Sequence, residues 1–260
     1  SFIHFTNESE NKNSISQNLV SFVFEDSTKN LWVGTREAGL DLFDLNEQKF
    51  YNLREEKDNP YSLNSNSIWG MLEDRSGILW IATNTGGLNK FNRKFLLIDH
   101  YCDKLKSVGN LKSNLIRSLY EDSEGIIWIG TLDKGLHRLD RAKNIITNFT
   151  EDENAPDCIS NNNVSFIIES DKNTLWIGVD LDGLWKLDKN TGKFKQYLNE
   201  LTEKNILGQN TIVNIVYDND GIIWLGTLGG GLNKFDMRTE KFTNYSFDAN
   251  DKLSLSSNRI

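Results

Sequence analysis

Cysteine, proline and long hydrophobic runs are scarce in this sequence of 260 residues. It holds two cysteines and two prolines, and no apolar stretch approaches the 18 or so residues of a membrane-spanning helix. The spacing of Cys102 and Cys158 matches no metal-binding motif, so we expect two incidental free thiols. No segment resembling a secretion signal opens the sequence. The first and last residues both fall inside a repeat described below, and we expect a fragment of a longer protein.

An excess of positive charge is also missing. The sequence has 29 Lys and Arg against 37 Asp and Glu, a net charge of -8. An acidic surface repels phosphate backbones, so we expect no nucleic-acid partner. The same charge suits a domain that meets neutral or cationic ligands.

Catalytic and metal-binding motifs are absent too. Only three histidines occur, and no Gly-x-Ser-x-Gly, His-Glu-x-x-His or phosphate loop is found. Residues 218–221 resemble the start of a calcium loop, but the Glu that calcium needs at position twelve is lacking, so a hairpin turn is expected. We therefore predict no catalytic residue, no metal site and no cofactor.

Regular spacing is what the sequence has in abundance. Five tryptophans follow one another at intervals of 48 residues, each inside a variant of the phrase Leu-Trp-Ile-Gly-Thr: Trp32, Trp80, Trp128, Trp176 and Trp224. Seven residues after each Trp comes a Gly followed by Leu. A fixed period of this length indicates one supersecondary unit copied five times.

Each repeat is predicted to contain four short strands. A β-branched or aromatic run precedes a turn rich in Asp, Asn and Gly, the Trp phrase forms the second strand, and two further strands follow the recurrent Gly. Four antiparallel strands in 48 residues are typical of a β-propeller blade. The predicted fold is thus all-β, with five complete blades that are part of a larger propeller; closure of five blades on themselves is the alternative. Predicted blades are 15–58, 63–106, 111–154, 159–202 and 207–250, with 1–6 and 255–260 belonging to flanking blades.

The repeated residues have a structural interpretation. Each Trp is expected to fill the wedge between adjacent blades, and the small residue two positions later lets the neighbouring sheet approach. An Asn recurs 14 residues before each Trp position, preceded by an apolar residue three positions earlier. We expect that apolar residue to hold the interblade loop down and the Asn to bond local backbone. A ring of Asn around a ligand is the alternative.

Candidate binding residues are those that differ between repeats. In a propeller, the loops between strands two and three and between successive blades share one face, around the central funnel. A Trp beside carboxylates and amides suits sugars, so we select Trp69 and Arg117 near the entry of first strands, together with polar loop residues. Ordinary variation of solvated loops is the competing interpretation. The loop residues are Arg36, Glu37, Asn84, Asp133, Lys134, Asp180 and Asp182.

The phrase Leu-Trp-Ile-Gly-Thr, then Gly-Leu, then a basic, apolar and Asp ending closely resembles the two-component regulator propeller repeat. Residues 128–140 show the pattern well, and the resemblance extends over all five repeats. It implies an extracytoplasmic sensor region of a membrane-anchored receptor, linked to the membrane through segments outside this sequence. It also implies an oligosaccharide or other small ligand, and a possible homodimer. The motif identifies the scaffold and assigns no binding residue.

From the residues and the resemblance together, we expect a non-catalytic, ligand-sensing propeller of a signal-transduction receptor. A protein-interaction scaffold is the first alternative and would spread its surface over several blades. A propeller lyase is the second alternative; it would need a histidine clustered with Glu or Arg in the funnel. His4 and His100 instead fall on predicted outer strands.

Overall fold

The chain folds as an all-β protein. The computed structural model describes residues 2–95, 97–103, 111–150, 159, 161–198, 207–218 and 220–260, and in these ranges it contains strands and no helix. Twenty strands form five four-stranded antiparallel sheets. The predicted fold class, all-β with four-stranded antiparallel blades, is thereby confirmed. Since the described ranges have no helix at all, none is available to cross a membrane.

Two compact units divide the chain. The first comprises Ser1–Glu121 and Asp140–Ile146, and the second Asp122–Leu139 and Thr147–Ile260. A middle sheet, of order β12-β11-β10-β9, has strands in both units. The other four sheets each lie in one unit, with strands in sequence order.

The first unit contains the sheets β1–β4 and β5–β8 and the strand β9. The strand bounds are β1 Val20–Glu25, β2 Leu31–Thr35, β3 Leu40–Asp44, β4 Lys49–Leu53, β5 Ile68–Glu73, β6 Leu79–Thr83, β7 Leu88–Asn92, β8 Leu97–Tyr101 and β9 Ile116–Glu121.

The second unit contains the sheets β13–β16 and β17–β20 and the strand β10, and the unit boundary runs through β11 and β12. The bounds are β10 Ile127–Thr131, β11 Leu136–Asp140, β12 Ile145–Phe149, β13 Val164–Asp171, β14 Thr174–Val179, β15 Gly183–Asp188, β16 Lys193–Tyr197, β17 Ile212–Tyr217, β18 Ile222–Thr227, β19 Leu232–Asp236 and β20 Lys241–Tyr245.

Two of the phased tryptophans, Trp32 and Trp176, contact the next blade in the wedge between blades, as predicted. In the first unit, the Trp32 ring lies edge-on to Phe91 of the next blade, with centroids 6.2 Å apart, and Leu63 and Ile68 belong to the same cluster. In the second unit, Trp176 contacts Phe235 in the same way at 5.2 Å. Burying a Trp of roughly 200 Å² stabilises the fold on the order of 5 kcal/mol.

The recurrent Gly links successive blades through the backbone. Each one has a positive φ and donates its N–H to the carbonyl of the recurrent Asn in the next blade, at 2.9–3.1 Å. The pairs in the first unit are Gly39–Asn66 and Gly87–Asn114, and those in the second are Gly135–Asn162, Gly183–Asn210 and Gly231–Asn258. A side chain would be strained at these positions because L-residues rarely adopt positive φ.

The recurrent Asn has the predicted structural role. Its Oδ1 accepts the backbone N–H of the residue eleven positions earlier, which fixes the chain as it enters the first strand. The pairs are Asn18 with Asn7, Asn66 with Glu55, Asn114 with Asp103 and Asn258 with Phe247. The apolar residue three positions before the Asn is buried in five of six cases: Ile15, Leu63, Leu111, Ile159 and Leu207.

The N-terminal segment attaches to the first blade. Residues 2–8 form no strand. The Phe5 ring contacts Phe43 and Phe50 edge-on, with centroids 5.0 and 5.6 Å apart. These contacts hold Phe5, whose position in the 48-residue repeat is that of a fourth-strand residue.

Candidate ligand-binding face

Trp69 occupies a β-bulge at the entry of β5. The pairing of β5 with β6 shifts register between Ile68 and Gly70, so Trp69 is the extra, unpaired residue. A bulge bends the strand and re-aims the side chain of the extra residue. The same shift occurs in three other first strands, at Ser21, Ser165 and Val213. The position chosen from the sequence is therefore a distinct geometric feature of the blade.

The structure brings two predicted residues together in the first unit. The guanidinium carbon of Arg36 lies 5.7 Å from the centroid of the half-buried Trp69 ring. A cation at this distance from an indole face interacts favourably with it. Beside Trp69, a Cβ added to Gly70 would meet nothing within 4 Å, whereas the equivalent residue of the first blade is Phe22. The chain thus presents an indole, a cation and adjacent open space.

The first unit holds three other predicted residues, two in loops and one on the first strand β9. Glu37 is exposed and exchanges two hydrogen bonds with Gln17: its N–H donates to Oε1 at 3.1 Å, and Gln17 Nε2 donates to its Oε2 at 3.2 Å. Asn84 is half-buried and donates its backbone N–H to Ser67 O at 3.0 Å. Arg117 is half-buried at the position of β9 that corresponds to Trp69.

In the second unit, Asp180 forms an amide–carboxylate cluster. Its Oδ2 accepts Asn163 Nδ2 at 3.0 Å, and its carbonyl accepts Asn161 Nδ2 at 3.1 Å. Sequence reasoning missed both asparagines, although Asn161, Asn162 and Asn163 form a run found in no other repeat. Amides and carboxylates of this kind bind hydroxyl groups. Asp133 is half-buried and Lys134 exposed in the equivalent loop of the preceding blade.

Asp182 accepts hydrogen bonds from the outer strands β15 and β16 instead. Its Oδ1 accepts Gln196 Nε2 at 2.8 Å, and its Oδ2 accepts Trp185 Nε1 at 3.1 Å. Trp185 itself is buried on β15. The carboxylate of Asp182 is thus engaged in holding β15 and β16 against the loop.

The histidines do not form a catalytic cluster with one another. His4 is exposed, His137 is buried on β11, and His100 Nε2 lies 2.9 Å from the Ser62 carbonyl. No group of three His, Cys, Asp or Glu that could hold a metal ion occurs within the described ranges. Asp218 caps its own turn, accepting the N–H of Asp220 and Ile222. Cys102 is buried, and Cys158 lies outside the described residues.

At the opposite end of the blades, the structure contains an ionic network that sequence reasoning missed. Arg93 lies 2.5 Å from both Asp26 Oδ2 of the preceding blade and Glu73 Oε1 of its own. The same position pairs with the equivalent acids in the next two repeats, as Arg141 with Asp74 and Glu121, and Lys189 with Asp122 and Glu169. The sequence signal was available: a Glu-Asp pair six and seven residues before Trp, and a basic residue thirteen after it.

These Asp residues also hold the wedge tryptophan. Burial alone would raise the pKa of Asp26, but hydrogen bonds from Trp32, Asn30 and Thr28 outweigh it and hold the pKa well below its usual range. For Asp74 and Asp122, burial is likewise outweighed, by bonds from Trp80 and Trp128 and by their cationic partners, and the pKa is lowered. These three aspartates are thus ionised at neutral pH, and their contacts give them a structural role.

Comparison with known sequences finds a family model that matches part of these repeats. A family model described as two component regulator propeller matches residues 62–85, 110–133 and 206–229, each of which spans the recurrent Asn, the first strand and the Trp phrase. Three of the five repeats are thus similar to the two-component regulator propeller repeat. No curated protein matches this repeat chain.

Solved structures resemble the chain over most of its length. The extracellular domain of BT3049 from B. thetaiotaomicron, described as a hybrid two component system, has a TM-score of 0.76 and 26% identity, with 90% of this chain and 31% of that chain covered. The extracellular domain of BT4673 from the same organism gives 0.71 and 23%, with 89% and 31% covered. The chain therefore spans about a third of the length of these structures.

A third structure shares the fold alone. Catalytically inactive virginiamycin B lyase from Staphylococcus aureus has a TM-score of 0.65 at 14% identity, with 91% of this chain and 73% of that chain covered. At 23% and 14% identity, the likeness to BT4673 and to the lyase concerns architecture. Function has to be argued from the residues.

Proposed function

We propose that the chain is a non-catalytic, extracytoplasmic ligand-sensing propeller of a signal-transduction receptor. We further propose that it binds an oligosaccharide or similar small ligand at the loop face, which is the surface around Trp69 and Arg36. Similarity to the extracellular domain of a hybrid two component system supports the sensing role and the location. A small ligand as partner, a possible homodimer and the absence of nucleic-acid binding belong to the same proposal.

The contact between Arg36 and Trp69 carries the ligand-binding part of the proposal. An indole face packs against the C–H face of a sugar ring, while neighbouring polar groups bond its hydroxyls. Trp69 sits on a bulge, with open space on the side of Gly70 and a cation at its ring. The wedge tryptophans have a different setting, since four of the five are buried between sheets.

A thermal-shift screen of soluble oligosaccharides tests the proposal, because a ligand that binds the native state raises the melting temperature. At a ligand concentration of 100 Kd, native-state binding contributes about 2.7 kcal/mol, which corresponds to a rise of several degrees for a protein of this size. We expect at least one oligosaccharide to produce such a rise. A flat response across the screen, from a protein shown to be folded, would favour an interaction scaffold.

Variants then locate the site. Trp69→Ala and Arg117→Ala are expected to abolish the shift produced by the identified oligosaccharide. Tyr51→Ala is the matched control, since Tyr51 is an exposed aromatic residue on the outer strand β4. Retained binding in both site variants would place the ligand elsewhere.

A further inference from the structure

The wedge of the first blade differs from all the others at two positions. The last residue of the fourth strand is aromatic in four repeats, and its ring lies 5.6–6.0 Å from the wedge Trp of its own blade: Trp80–Tyr101, Trp128–Phe149, Trp176–Tyr197 and Trp224–Tyr245. In the first blade this residue is Leu53. The wedge tryptophan Trp32 therefore lacks the ring that its four counterparts have beside them.

The second difference removes a charge. The middle residue of the third strand is basic in the other repeats, as Lys90, Arg138, Lys186 and Lys234, and it is Leu42 in the first. Two of these lysines lie over their wedge tryptophan, Lys186 at 5.5 Å from the ring of Trp176 and Lys234 at 6.0 Å from that of Trp224. At Trp32 the equivalent side chain is apolar.

A pocket lies where these side chains are missing. It has a volume of about 500 Å³ and is lined by Trp32, Leu42, Leu53, Phe91, Ile98 and Tyr61, among others. The matched pocket beside Trp128, where Phe149 and Arg138 are present, has about 100 Å³. The pocket of about 560 Å³ beside Trp224 is not matched, because residues 244–255 line it without a following blade. The pocket lined by Leu42 and Leu53 is thus about five times as large as the matched pocket beside Trp128.

We propose that this pocket is a second ligand site, separate from the loop face, and that it binds a small molecule bearing one neutral phenyl or phenol ring. The other repeats give the reason for that class. In each of them a Phe or Tyr ring of the protein lies against the wedge Trp, whereas the first repeat has the smaller Leu53 at that place, at the wall of the pocket. Aromatic pairs at these centroid distances are favourable.

The walls and the mouth of the pocket fit the same ligand. Phe91 and Ile98 form a buried wall. Leu42 stands where the other repeats have a basic residue, and Arg93, which also lines the pocket, is paired with Asp26 and Glu73, so the wall offers no unpaired charge to an anionic ligand. Arg54 and Glu56 line the mouth together with the exposed Tyr61. Volumes of 300–1,000 Å³ with apolar walls and a few polar groups are typical of small-molecule sites. Both polar and apolar parts of a phenol therefore find partners.

Ligand-detected NMR with phenol and benzyl alcohol as probes tests the proposal on the purified protein. We expect saturation transfer from the protein to both probes, and at least a tenfold weaker signal for Leu53→Tyr, whose own ring occupies the pocket. Leu45→Tyr is the matched control, since Leu45 is an exposed leucine in the preceding turn, and its signal should equal that of the wild type. Trp69→Ala should also retain the signal, which separates this site from the loop face.

The stability of Leu53→Tyr is a second test of the proposal. Because four repeats accept the ring, Leu53→Tyr should fold and melt at or above the temperature of the wild type; a variant that fails to fold would show that the space does not take a ring and would overturn the proposal. The double variant Arg138→Leu/Phe149→Leu should gain a second probe site. Equal signals for wild type and Leu53→Tyr, or no signal for the wild type, would equally contradict the proposal.

Discussion

The guanidinium of Arg93 lies 2.5 Å from the carboxylate of Asp26, a residue of the preceding blade that also accepts the indole N–H of Trp32 at 2.9 Å. One acid thus joins the charged link between two blades to the aromatic wedge between them. The Asp side chain is fully buried, whereas Arg93 retains 22% of its exposure. Removing Arg93 leaves the buried carboxylate of Asp26 without its counter-charge.

Arg93→Met tests this link. Breaking a buried ion pair from one side costs about 3–5 kcal/mol, because the remaining charge is buried and uncompensated. We expect about 3 kcal/mol here, since Arg93 is partly exposed, and a melting temperature lower by about 6–12 °C. Arg238→Met is the control: its carboxylate partner is 3.9 Å away and its side chain exposed, so a change of at most about 1 kcal/mol is expected. Equal effects would show that the link is not structural.

The same carboxylates predict loss of stability in acid. Asp26, Asp74 and Asp122 have a lower pKa in the folded state, so their contribution is present above the unfolded pKa of about 3.9 and is lost as the pH falls below it. Asp41 acts in the opposite sense, because burial raises its pKa. The pKa is lowered at four exposed or partly exposed carboxylates as well, Glu47, Asp188, Asp236 and Glu240. Because lowered groups outnumber the single raised one, the melting temperature should fall between about pH 4 and pH 2, and less steeply in Asp26→Asn. A flat profile would be inconsistent with the network.

Trp176 and Trp69 should behave differently on truncation. Trp176 is 1% exposed and contacts Phe235 and Tyr197, so Trp176→Ala is expected to cost about 3–5 kcal/mol. Trp69 lies half-buried on the loop face, and Trp69→Ala should cost about 1 kcal/mol or less. Thermal unfolding of the two variants measures the contrast. A larger loss for Trp69→Ala would make it a core residue.

The recurrent Gly should tolerate no side chain. At Gly87, with a φ of 88°, an added Cβ would collide with the carbonyl oxygen of Tyr101, so Gly87→Ala adds a clash to the strain of a left-handed conformation. At Gly192, with a φ of 72°, the same Cβ meets nothing within 4 Å. Gly192→Ala is therefore expected to cost about 1–2 kcal/mol from backbone strain alone, and Gly87→Ala distinctly more. Chemical denaturation of both variants decides the order.

The fold could be predicted because the repeat copies its own structural solutions. Trp32, Gly39 and Asn66 recur at fixed spacing, and each has a single local role: the Trp fills the wedge, the Gly turns the loop and the Asn caps the next strand. Strand limits followed from turn residues such as Asp74 and Gly77, because Asp caps a turn and Gly accepts positive φ.

The candidate site was less predictable because its geometry depends on packing between repeats. The phase of Trp69 was visible, yet its bulge arises from the register of β5 against β6. The sequence showed Asp182 as a loop carboxylate, whereas its bonds to Trp185 and Gln196 depend on how β15 and β16 fold back. The exchange of a ring for Leu53 was readable in the sequence, but only the structure associates it with a pocket.

The most direct test of the sensing role is isothermal titration of the stabilising oligosaccharide against three proteins. The wild type should bind at one site, Leu53→Tyr should bind with the same affinity because its substitution lies in the first wedge, and Trp69→Ala should bind at least tenfold more weakly. Unchanged affinity in Trp69→Ala, with loss in Leu53→Tyr, would contradict the account and move the ligand from the loop face to the wedge.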